Sequence, residues 1–120
     1  ERVELLASLL GADQRNVIVD AGAQTSRLAT LLCDAATESL LVLRPCYLAL
    51  RRAKHHPGRA TGIVLVQEPG RTLRGKDVSA VLGLPIRAEV GWDTAIARAI
   101  DAGLLVTRMP RNLARPLATL

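Results

Sequence analysis

Asn16-Val17-Ile18-Val19-Asp20-Ala21-Gly22-Ala23-Gln24-Thr25-Ser26 is the stretch on which the reading of the chain turns. Three consecutive β-branched residues, followed by one carboxylate and a glycine-containing turn, predict a strand buried on both faces with its acid at the carboxyl end. Ligands of open parallel sheets bind in the crevice just beyond such ends. An acid placed there can hold a Mg²⁺-bound water. An Asp at a strand end equally caps the next helix or closes a turn. Taken by themselves, the residues leave both readings of Asp20 open.

The chain on either side alternates between helical and strand patterns. Residues 2–10 space their apolar groups as a helix does, and Gly11 is expected just beyond its end. Ser26 is an N-cap residue for a helix running through Leu28, Leu31, Leu32 and Cys33. Leu40-Leu41-Val42-Leu43 predicts a second strand, and Pro45 suits the first position of a helix over 46–54, which His55-His56-Pro57-Gly58 breaks. Gly62-Ile63-Val64-Leu65-Val66 is a third strand, opening into the Gln67-Glu68-Pro69-Gly70 loop. Asp77 is expected to cap a short helix that Gly83 stops. Residues 85–90 alternate cleanly, as an edge strand does, Asp93 caps a helix that ends at Gly103, and a last helical segment over 111–120 carries Pro116. Strands alternating with helices over short connections predict an α/β fold. It is a single domain over residues 1–120, with a parallel sheet of about four strands flanked by helices.

Composition narrows the function classes. The apolar positions are aliphatic, with no Phe, one Tyr (Tyr47) and one Trp (Trp92), which suits helices on a Val/Ile-rich sheet and poorly suits a stacking platform for single-stranded RNA, which needs exposed aromatics. Sixteen Lys and Arg against eleven Asp and Glu give a formal charge of +5, so an anionic partner is favoured. Cys33 and Cys46 lie in apolar contexts without metal-ligand spacing, and a reduced, cytoplasmic protein is expected. There is no apolar run of the ~20 residues a membrane span needs and no signal-peptide pattern. The first residue is Glu1, already in a helical pattern, which reads as a piece of a longer protein.

Three stretches in fixed order carry a resemblance: residues 16–22 with Asp20 and Gly22, residues 40–50 with Arg44-Pro45, and residues 62–66 followed by 86–103. Together they resemble the C-terminal half of the deviant-Walker ATPases of the ParA/MinD type, especially the MinD-like proteins of actinobacteria, over almost the whole chain. The resemblance implies a partial P-loop NTPase fold and a role in intracellular positioning: chromosome partition, septum placement or pilus assembly. Asp20 then falls on the Walker B acid that holds Mg²⁺ through water, and Gly22 on the turn near the γ-phosphate. Gln67, Glu68 and Pro69, with Gly91, Trp92 and Asp93, fall on the adenine pocket. ATP, Mg²⁺ and a homodimer are implied for the intact protein, whose phosphate loop and signature lysines would lie upstream of anything present here. Protein partners and non-specific DNA contacts are implied as well. The alternative is a catalytically inactive pseudo-ATPase that survives as a protein-interaction scaffold.

Other motifs are read against simpler roles. Gly70-Arg-Thr-Leu-Arg-Gly75-Lys76-Asp77 fits the G-x-x-x-x-G-K pattern, but Asp77 replaces the Mg²⁺-binding hydroxyl and would itself occupy the helix N-terminus. It is read as a loop with a capped helix. His55 and His56 suit a helix C-terminus and have no companion ligands nearby. Cys46, near a helix start, is a packing residue without a His-Asp constellation. Two basic groups, Arg51, Arg52, Lys54 and Arg59, then Arg108, Arg111 and Arg115, are either DNA-phosphate contacts or solvated helix faces.

Overall fold

Three parallel strands, β1 (Leu40–Leu43), β2 (Gly62–Gln67) and β3 (Ile86–Gly91), form one sheet in the order β1-β2-β3 in the computed structural model, which describes residues 2–23 and 26–120. Gln24 and Thr25 of the opening stretch, and Glu1, lie outside the described residues. β1 and β2 run in register from Leu40 opposite Gly62 to Leu43 opposite Leu65. The β2–β3 ladder shifts between Ile63 and Val64, then continues to Gln67 opposite Gly91.

The helices are α1 (Arg2–Ala12), α2 (Arg27–Ala35), α3 (Tyr47–Lys54), α4 (Gly75–Leu82), α5 (Thr94–Asp101) and α6 (Arg111–Leu117). Because α3 and α4 are the crossovers between consecutive parallel strands, they fall on one face of the sheet, where a right-handed connection puts them. Leu43, Leu50, Ile63, Leu65 and Val78 form the core on that side. On the other face Val64, Ala88 and Val90 pack with Ile96 of α5 and Leu113 and Leu117 of α6. β2 is therefore covered on both sides, which explains its continuous apolar run. Ile63, Leu65 and Val78 are fully buried, each contributing about 1.5–3 kcal/mol of transfer free energy. Cover stops short at β1: Val42, on the α6 side, stays 69% exposed.

The expected strand over residues 16–20 is corrected. That backbone joins no ladder, and the sheet has three strands rather than about four. Ile18 is 95% exposed, and Val17 and Val19 are exposed beside it. β-propensity expresses how a side chain packs on a pleated, half-buried surface, so three β-branched residues make no strand without a neighbouring one. Three local details also differ. Gly11 sits inside α1 rather than beyond its end, α3 starts at Tyr47 with Cys46 as N-cap and Pro45 buried ahead of it, and Asp77 lies in the first turn of α4. Ser26 and Asp93 do cap α2 and α5, accepting from the amides of Ala29 at 3.1 Å and Ala95 at 2.7 Å. Gly83 ends α4 in the left-handed region at φ 67°. No described helix is long and apolar enough to cross a membrane.

Candidate functional site

All three strands end at the same edge of the sheet, so the residues at or just beyond their carboxyl ends, Arg44, Gln67-Glu68-Pro69 and Trp92-Asp93, share one rim. The Trp92 amide donates to the Gln67 carbonyl at 2.7 Å, one step beyond the β2–β3 ladder, and ties the two expected adenine-pocket segments together. Trp92 itself is 54% exposed.

Glu68 is the electrostatic centre of the rim. Arg44 reaches one carboxylate oxygen at 2.8 Å, and Arg71 takes the other with two nitrogens at 2.8 and 2.6 Å. The Arg71 guanidinium first, and that of Arg44 second, hold the Glu68 carboxyl below its ordinary range, and Glu68 in turn raises Arg44. Asp93 is committed too: one oxygen caps α5, and the other accepts from the Asn112 amide at 2.6 Å, joining the start of α5 to α6. Pro69 is exposed beside them.

Asp20 and Gly22 stand apart from this cluster. The Asp20 carboxylate accepts from the Gly22 amide at 2.9 Å, with Gly22 at φ 69°, so the pair closes its own turn in exposed backbone. No hydrogen bond or ion pair joins either residue to the rim among the described residues. A second carboxylate oxygen on Asp20 remains for a metal-bound water, but no group of three or more His, Cys, Asp or Glu able to hold a metal occurs among the described residues. Mg²⁺ keeps several waters when bound by one or two carboxylates plus substrate phosphates. A triphosphate requires an amide cradle. The G-x-x-x-x-G-K stretch cannot supply one, because the Asp77 carboxylate already accepts from the Arg74 amide at 2.9 Å at the start of α4.

What the sequence reading missed is the role of three arginines it names otherwise, which organise the rim and the loops, Arg59 among them as a loop clamp rather than a DNA contact or a solvated helix face. Arg71 stands three residues from Glu68 and was legible as a local pair, whereas Arg44 meets Glu68 only because β1 and β2 are adjacent and in register. Arg59 binds across residues 34–37: its amide donates to Asp34 at 2.8 Å and its guanidinium to the carbonyls of Ala36 and Thr37. Comparisons with protein-family models, curated proteins and solved structures returned no match.

Proposed function

We propose that this chain is the C-terminal half of a ParA/MinD-like ATP-binding protein for intracellular positioning, such as chromosome partition, septum placement or pilus assembly. Its carboxyl rim takes the adenine, with Gln67, Glu68, Pro69, Trp92 and Asp93 around the base; Asp20 and Gly22, which lie apart from the rim, are assigned to the phosphate side by the resemblance alone. The observation that carries this reading is the hydrogen bond from Trp92 to Gln67, which gathers the base-side residues at the carboxyl end of a parallel sheet. The upstream half would supply the phosphate loop, and ATP would drive a homodimer. Trp92 is the only tryptophan of this sequence, so the emission lost in Trp92→Phe isolates its fluorescence at the rim. Titrating the intact protein with Mg-ATP should change its emission saturably, with GTP acting more weakly; a flat response to both overturns the reading. Asp20→Ala should lower ATP turnover by about tenfold or more, and unchanged turnover removes Asp20 from the mechanism.

A second reading, a nucleotide-free scaffold, is favoured by one specific observation. Both oxygens of Glu68 and both of Asp93 are consumed by protein donors, and one oxygen of Asp20 closes its own turn. A thermal midpoint that does not move with millimolar Mg-ATP supports this reading, since any ligand that binds only the folded state must raise it.

A further inference from the structure

Between residues 47 and 82 the chain carries seven Lys and Arg and two Asp and Glu, a surplus of five that equals the formal charge of the entire sequence. The remaining residues hold nine cations and nine anions, so the basic excess is not spread over the surface. It is concentrated around α3 and α4. Both anions of this stretch are spent locally, Glu68 on Arg44 and Arg71, and Asp77 on the Arg74 amide. Arg51 and Lys54 make no hydrogen bond or ion pair among the described residues.

Between these helices lies a cleft of about 430 Å³. Its floor is apolar, made by Leu50 and Leu73, with Tyr47 and Val81 on the lips and Arg51 and Lys54 along one side. His55 closes the end of α3. A second cleft of about 290 Å³ shares Lys54 and Val81 and continues toward His56 and Leu84. No acidic residue lines either cleft.

We propose that the valley between α3 and α4 docks an acidic, amphipathic segment of a partner protein. Apolar side chains at helical spacing would enter the cleft beside Leu50 and Leu73, and flanking Asp or Glu would pair with Arg51 and Lys54. The shape separates this occupant from other anions. A phosphodiester backbone has no apolar groups with which to fill such a floor. A bilayer surface would take up the protruding Tyr47 and Val81 but would leave the recessed floor at Leu50 unfilled. The inference is independent of nucleotide binding, because no rim residue placed around the adenine lines the valley.

The test is selection of a random 16-residue peptide display library on the immobilised chain, followed by fluorescence anisotropy of the enriched peptides. Enriched sequences should combine Asp or Glu with Leu, Ile or Phe at helical spacing. Arg51→Glu/Lys54→Glu should weaken them about tenfold or more, while Arg108→Glu/Arg111→Glu should leave them unchanged. All four positions are exposed, and circular dichroism of each variant confirms that it is folded. The proposal is overturned by an absence of enrichment, by peptides without the acidic-apolar pattern, or by affinity that survives reversal at Arg51 and Lys54. It is also overturned if a 30-base-pair DNA duplex or phosphatidylserine vesicles bind through Arg51 and Lys54 more tightly than any enriched peptide.

Discussion

The Asp93 carboxylate spans two elements, capping α5 through the Ala95 amide and accepting from Asn112 of α6 at 2.6 Å. One side chain thereby fixes the start of α5 relative to the helix that covers β3. Asp93→Ala removes both bonds and should destabilise the fold by about 1–2 kcal/mol, the usual cost of a lost N-cap. Asn112→Ala should cost less. Urea unfolding of the two variants and the double mutant measures their coupling, and strict additivity would show that the side chains act independently.

Acid should weaken the rim through Glu68. Two guanidiniums hold its carboxyl below the ordinary value of 4.5, so the unfolded chain takes up the proton first as pH falls. The stability Glu68 contributes is complete above pH 4.5 and is lost as pH drops through its lower folded-state value. Glu68→Gln should therefore flatten the decline of the thermal midpoint below that pH. An identical acid slope in both proteins would show that other carboxylates, such as Asp13 beside Arg15, dominate.

The contrast between two aliphatic positions checks the corrected sheet. Leu65→Ala, in the fully buried centre of β2, should cost about 2–5 kcal/mol. Ile18→Ala, at a 95% exposed position, should change stability by no more than about 0.5 kcal/mol. A large loss at Ile18 in chemical denaturation would mean that residues 16–20 are packed in solution.

Two glycines should respond to alanine with opposite signs. Gly83 holds the left-handed end of α4, where a Cβ costs about 1 kcal/mol. Gly11 lies within α1 with open space around it, so Gly11→Ala should stabilise by up to about 1 kcal/mol. Thermal melts of the two variants decide whether Gly11 is helical or terminal.

Much of this architecture is legible in the sequence, and for identifiable reasons. Ser26, Asp93, Gly83 and Gly103 act within a few residues of themselves, so their roles as caps and stops follow from local chemistry. β1 and β2 were legible because short apolar runs lay between helical patterns. Residues 16–20 were misread because Val17, Ile18 and Val19 carry strand propensity without stating whether a neighbour accepts their hydrogen bonds. Within the rim, sequence order could place residues 67–69 and 91–93 at strand ends, and the sheet brings them together. It could not show that Arg44 would meet Glu68 across 24 positions, because that contact depends on which strands are adjacent.

The two faces of the sheet are completed at different times as the polypeptide leaves a ribosome. The α3 and α4 side is built from residues 41–86 and can close once the start of β3 has emerged. The opposite side waits for Leu113 and Leu117 of α6. Until they appear, Val64, Ala88 and Val90 have no α6 to cover them, and a nascent chain stalled before residue 111 would present that strip to chaperones or to its neighbours.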